Sequence, residues 1–361
     1  MTIWRWAELF TETPPDHRIT LGEGDTPLIR SRRIGPEAGL DRLYFKLETS
    51  NPSGSYKDRF AAAAISDMRT RGETRTVGTS SGNTGSAVAA YCAAAGLACE
   101  IAILETTPPG KIKQMQAYGA QIYRVRGMGV DPGISDRIME QLQDKAQRPG
   151  NRLQISAFRF SPDGMNGVKT IGYELAEQAD AGGFDLRHVF VPAGGGGLTL
   201  AVARGLSEMA DRGSIARMPA VHCVQPSGND TIAGPLRDGA TRARACPCTS
   251  LISGLQVGSV IDGDPVIEVC RASGGTGYLV EDEDVWAVQR RLARDEGVFC
   301  EPAGAVALAA ALAASQRGAV RRDEPVACLV TGVGFKDPDG VDRMIEGIDC
   351  PLIEPSEIDR M

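Results

Sequence analysis

Asn51-Pro52-Ser53-Gly54-Ser55-Tyr56-Lys57-Asp58-Arg59 sets one lysine behind a run of turn-forming residues. A lone lysine in such a place is ordinarily a surface charge. Its amine becomes a nucleophile toward a carbonyl when enclosure in a cleft strips its proton. A second segment supplies the company such a lysine needs: the apolar run Val189-Phe190-Val191 leads into Gly194, Gly195, Gly196 and Gly197 and then into a helix-forming stretch. Consecutive amides free of side chains at a helix N-terminus cradle an anion such as a phosphate. A tight strand-to-helix turn by itself would need a single glycine. The third segment, Thr79-Ser80-Ser81-Gly82-Asn83-Thr84-Gly85, ends a strand and opens a helix with hydroxyls and amides exposed. These groups suit a carboxylate, with Asn83 donating to a ring oxygen; simple N-capping is the other use of the same residue types.

The 361-residue chain carries 43 glycines, about 12% against a usual value of roughly 7%. They have no period of three and sit between apolar segments, which excludes collagen-like and low-complexity chains. The net charge of −7 speaks against a nucleic-acid surface, and no apolar run approaches the roughly 18 residues of a membrane span. The N-terminus lacks a basic stretch followed by an apolar one, so no secretory signal is expected. Nine cysteines, an odd number, fit reduced thiols in a cytoplasmic setting. Cys246-Pro-Cys248 with only three histidines in the chain gives no zinc spacing, and no metal site is expected. Neither G-x-x-x-x-G-K-[ST] nor a strand-borne G-x-G-x-x-G occurs, which argues against P-loop and dinucleotide-binding enzymes.

From residue 74 onward, short β-branched runs alternate with Ala-rich amphipathic stretches, the pattern of an α/β protein. Strands are expected at 76–79, 100–104, 121–125, 153–156, 188–191, 221–224 and 327–330. Helices are expected near 85–95, 111–118, 134–146, 168–179, 198–209, 282–295 and 304–315. Residues 227–275 read as a loop or a flap on the substrate side. The two βα series predict two open, twisted, mostly parallel sheets with flanking helices, divided into a smaller domain (45–160) and a larger one (1–44 with 161–361). Ligands in such sheets bind at the carboxyl ends of the strands.

In order along the chain, Asn51–Arg59, Ser80–Gly85, the glycine run, Glu301-Pro302-Ala303-Gly304 and Thr331-Gly332-Val333-Gly334-Phe335-Lys336-Asp337 resemble the pyridoxal-phosphate enzymes of the tryptophan synthase β-subunit fold, fold type II. The resemblance is greatest to threonine synthases and runs from about Gly22-Glu23-Gly24-Asp25-Thr26-Pro27-Leu28 to about Asp339. It implies pyridoxal 5'-phosphate as cofactor, a Schiff base on Lys57 and proton shuttling by the same amine. It further implies Tyr56 beside the cofactor ring, Asn83 on its 3' oxygen, Gly194 to Gly197 around its phosphate and Thr331 at its ring nitrogen. Ser80, Ser81 and Thr84, with Ser156 and Arg159, are implied in binding a small amino-acid substrate. A homodimer is implied as well. A hydroxyl at the ring nitrogen does not demand a protonated pyridine, which favours elimination over transamination.

Two departures bear on the substrate. The four-glycine loop is more like serine and threonine dehydratases, whereas threonine synthases commonly have G-N-x-G-N. Gly164 stands where threonine synthases carry an arginine for the phosphate of O-phosphohomoserine; either Arg159, five residues upstream, takes over or the substrate carries no phosphate. The sequence therefore leads to elimination of an oxygen-linked leaving group with or without addition of water. Dehydration of serine or threonine, β-replacement as in cysteate-forming relatives, and a non-catalytic metabolite-binding relative stand as alternatives.

Overall fold

The computed structural model describes every residue except 81, 106, 108, 129–131 and 361. Among the described residues, ten strands form two sheets. The larger sheet contains β1 (Leu28–Arg30), β2 (Leu43–Leu47), β7 (His188–Pro192), β8 (Ala220–Pro226), β9 (Gly277–Val280) and β10 (Val326–Val330), in the order β1-β2-β10-β7-β8-β9. Only the β1–β2 pair is antiparallel. The smaller sheet, β5-β4-β3-β6, is wholly parallel and is built from β3 (Arg75–Thr79), β4 (Ala98–Leu104), β5 (Gln121–Val125) and β6 (Asn151–Leu153). The expected fold class is thus the observed one. The positions 45 and 160 fall within β2 and between β6 and the helix Pro162–Val168.

Several elements differ from the sequence expectation. The strand expected at 153–156 ends at Leu153, and Gln154 makes one further bond, donating its amide to the Val77 carbonyl at 2.9 Å. The helix expected at 168–179 is two, Pro162–Val168 and Thr170–Ala181. The segment read as a loop holds the helices Ala233–Arg237 and Gly263–Ala272, the latter burying Val266, Ile267 and Cys270. β1, β2 and the helix Lys57–Thr70 lie upstream of the region where alternation was visible.

The helix Lys57–Thr70 is the hub. It packs Phe60 and Ala64 so closely on the helix Pro162–Val168 that a Cβ on Gly164 would lie 2.6 Å from the Phe60 ring and 2.9 Å from the Ala64 methyl. Position 164 therefore faces a helix seam with no room for an arginine side chain. Its glycine is a packing requirement of this helix pair.

One turn into the hub helix, Arg59 is fully buried and spends its guanidinium on two buried carboxylates. Nε and Nη2 each donate to Glu48 at 2.8 Å, and Nη1 and Nη2 donate to Glu174 at 2.6 and 2.8 Å. Lys46 on β2, also fully buried, donates to Glu174 at 2.6 Å, to the Thr26 carbonyl at 2.7 Å and to Gln178 at 2.9 Å. Burial alone would raise the Glu174 carboxyl; Arg59 and Lys46 override it and hold the group well below the usual carboxylate range. Removing the guanidinium leaves two carboxylates buried beside a single ammonium. Arg59→Met is expected to destabilise the fold by about 3–5 kcal/mol, measured as a lower urea midpoint; an unchanged midpoint would show that the charges contribute nothing to stability.

Candidate active site

The carboxyl ends of the strands converge on one groove. β3 leads into Ser80–Thr84, β6 into Ser156, β7 into Gly194–Gly197, β10 into Thr331, and β2 into the turn before Lys57. The chain crosses itself here three times. Ser55 pairs with Gly332 as an antiparallel bridge, Tyr56 donates its amide to the Thr331 carbonyl at 3.1 Å, and Val333 donates to the Gly54 carbonyl at 2.9 Å. On the other side of the same strip, Glu301 donates its amide to the Gly332 carbonyl at 3.0 Å. A Cβ on Gly332 would lie 2.3 Å from Glu301 Oε1 and 3.2 Å from Asn83 Nδ2, so a side chain there would displace the Glu301 carboxylate from its bond with Asn83.

Lys57 opens the hub helix and is half-buried. Its Nζ donates to Ser156 Oγ at 2.6 Å and lies 4.5 Å from the Tyr56 ring centroid. Ser156 Oγ also meets Thr84 Oγ1 at 2.8 Å. Burial lowers the Lys57 ammonium to about 7, against the opposing pull of the Glu301 and Asp262 carboxylates. Asn83 donates from Nδ2 to Glu301 Oε1 at 2.8 Å. Lys57, Tyr56, Asn83, Thr84, Ser156 and Thr331 are thus brought together.

The remaining sequence candidates fare differently. Ser80 Oγ accepts the amides of Gly82 and Gly85 at 3.3 and 3.1 Å, so in this structure it caps the helix Asn83–Ala95. Ser81 lies outside the described residues. Arg159 is exposed; its amide donates to Asp262 Oδ1 at 3.1 Å, and its guanidinium carbon lies 5.9 Å from the Phe160 ring centroid. Glu301 and Asp262 are buried acids of the site to which sequence reasoning assigned no role. For Asp262 a signal existed, because Asp-Gly-Asp-Pro before an apolar stretch is a helix-start pattern.

The glycine run joins β7 to the helix Gly197–Asp211. Gly196 has φ +98°, a conformation that favours glycine, and a Cβ there would lie 2.9 Å from Val266 Cγ2 and 3.0 Å from Ile232 Cδ1. The amides of Gly194 to Gly197 find no acceptor among the described residues. Thr331 Oγ1 is likewise buried without a partner among them.

A family model described as pyridoxal-phosphate dependent enzyme matches residues 19–332. The chain belongs to this family. It is a fold type II pyridoxal-phosphate enzyme that works on amino acids by elimination or replacement chemistry. The threonine synthase of Methanocaldococcus jannaschii is 31% identical over 355 residues, 97% of this chain and 85% of the relative. That of Mycobacterium leprae is 31% identical over 341 residues, 94% of this chain and 88% of the relative. The processed form of threonine deaminase isoform 2 from Solanum lycopersicum shares the fold, with a TM-score of 0.73 at 22% identity over 90% of this chain and 88% of that one.

The site fits the cofactor of its family on three observations of its own. Free amides at a helix N-terminus suit the phosphate, the orphaned Thr331 hydroxyl suits a ring nitrogen, and Lys57 is an enclosed amine near neutrality. Amine attack on an aldehyde needs the unprotonated form. The rate at which the stripped enzyme recaptures pyridoxal phosphate should therefore rise about tenfold per pH unit below pH 7 and level off above it. Stopped-flow absorbance at about 410–430 nm reads this. Lys57→Ala should show no such band, and a band that persists in that variant would remove Lys57 from its role.

Proposed function

We propose that this enzyme converts O-phospho-L-homoserine and water into L-threonine and phosphate, as threonine synthases do. The observation that carries the reading is the pairing of near-full-length identity to threonine synthases with Lys57 seated on the hydroxyl pair Ser156 and Thr84. Pyridoxal phosphate, when bound, supplies the sink for the electron pair left on the substrate's Cα.

The chain's own residues do the rest. Lys57, depressed to about 7, removes and returns protons at the substrate carbons near neutral pH. Ser156 and Thr84 orient that amine and offer hydroxyls to the oxygens of the substrate, and the sequence resemblance assigns Ser80 and Ser81 to the same substrate. The glycine amides hold the cofactor phosphate, Asn83 addresses the ring oxygen, and Tyr56 lies next to Lys57. Thr331 offers the ring nitrogen a hydroxyl, which keeps the sink moderate and favours loss of the leaving group over transamination. Arg159, the sole sequence candidate for the substrate phosphate, would have to swing its exposed side chain inward. The phosphate ester leaves with the electrons of its C–O bond, and water adds to give the hydroxyl of threonine. A homodimer in the cytoplasm is part of the same reading.

A substrate panel tests it. With O-phospho-L-homoserine, one threonine should appear per phosphate released, without ammonia. Ammonia and a 2-oxo acid from serine or threonine, with no turnover of the phosphorylated compound, would replace the reading with a dehydratase.

A further inference from the structure

The acid that sequence reasoning missed touches both halves of the site. Asp262 is 3% exposed and precedes the helix Gly263–Ala272. Its carboxylate accepts the amides of Phe158 at 2.8 Å and Arg159 at 3.1 Å. Those residues follow Ser156, the hydroxyl that receives the Lys57 ammonium. Its own amide donates to the carbonyl of Gly195 at 3.0 Å. Oδ2 also lies 3.1 Å from the point where a Cβ on Gly197 would stand, with the Ser156 carbonyl 3.4 Å from that same point. One residue is thus bonded at once to the phosphate cradle and to the segment that orients the nucleophile.

We propose that Asp262 is a positioning residue that fixes the Ser156 hydroxyl against Lys57 and ties that contact to the shape of the glycine cradle. A carboxylate suits the task because it has two acceptor oxygens and no donor to oppose the paired amides of Phe158 and Arg159. Its charge also acts on the amine, holding the Lys57 ammonium above the level that burial alone would set. The charged groups that face Asp262 are Lys57, Arg204 and Arg159. Burial raises the Asp262 carboxyl, with the Phe158 and Arg159 amides opposing. A carboxylate beside an anion cradle is unfavourable unless donors offset it, and here the Phe158 and Arg159 amides do so, which ties it to that segment.

Competitive acetylation of the full-length, cofactor-stripped enzyme reads the role without activity, by mass spectrometry of the Lys57 peptide with exposed Lys113 as reference. The wild-type midpoint is expected near pH 7. Asp262→Asn presents an NH2 to one of the two amides and removes the charge; the midpoint should fall by about half a pH unit. Asp264→Asn removes a carboxylate in the same turn that instead accepts the Ala243 amide, and it should leave the midpoint unchanged. An unshifted midpoint in Asp262→Asn, or an equal shift in Asp264→Asn, overturns the proposal. A measurement on the wild type decides if Asp262→Asn does not fold. The Phe158 and Arg159 amide proton shifts should titrate together with one midpoint above the ordinary aspartate value of about 3.9. Amides that do not titrate together, or that share a midpoint at or below that value while the chain remains folded, would overturn it as well.

Discussion

The position of Lys57 depends on a charge cluster buried entirely in the core. Arg59 stands two residues after Lys57 on the same helix, and its guanidinium is bonded to Glu48 and Glu174 while Lys46 closes the set. Two cations and two anions cancel, and all three protons of the Lys46 ammonium have acceptors. Such a cluster gains little net stability over an apolar core of the same shape, because desolvating four charges offsets most of their attraction. What it gives is register. Glu48 follows β2, Glu174 lies on the helix Thr170–Ala181, and Thr26 and the Asp25 amide bring in the entry segment. A slip of the hub helix by one residue would strand a charge in the core. Lys57 inherits that precision.

Around this anchor the candidate site is built largely from backbone at strand ends, which is why it was so legible in the sequence. The glycine run, the Thr331 strip and the Ser80–Gly85 turn each act through consecutive residues at a strand end, so type and order reveal them together. Gly196 and Gly332 were legible for the same reason: Gly196 holds a left-handed φ, and a side chain at 332 would displace the Glu301 carboxylate. The sheets followed from the βα alternation, since each strand is flanked by a helix that covers it.

What escaped was nonlocal or lacked contrast. Asn83 and Glu301 lie 218 positions apart and Phe158 and Asp262 lie 104 apart, so no window on the sequence shows either pair. The hub helix buries Asp58, Arg59 and Ser66 along with its alanines, which leaves no polar face for periodicity to detect. β1 spans three residues and β9 four, too few for an alternation to register. Gly164 misled for another reason. A family position was compared by type, whereas its surroundings in this chain, the Phe60 ring and the Ala64 methyl, make it a matter of helix packing.

The two sheets divide the labour at the groove. The larger one supplies the glycine cradle, Thr331 and the lead-in to Lys57, and these are laced together by main-chain bonds from Gly54 to Val333 and from Tyr56 to Thr331. Asn83, Thr84 and Ser156 come from segments that follow strands of the smaller sheet, and they reach the first group through two side-chain bonds, Asn83 to Glu301 and Lys57 to Ser156. Both bonds involve groups that the proposed function gives to cofactor and substrate. On that reading a ligand exchanges these two bonds for contacts to itself at nearly constant hydrogen-bond count, while Asp262 keeps the amides of Phe158 and Arg159. An exchange of that kind costs little free energy.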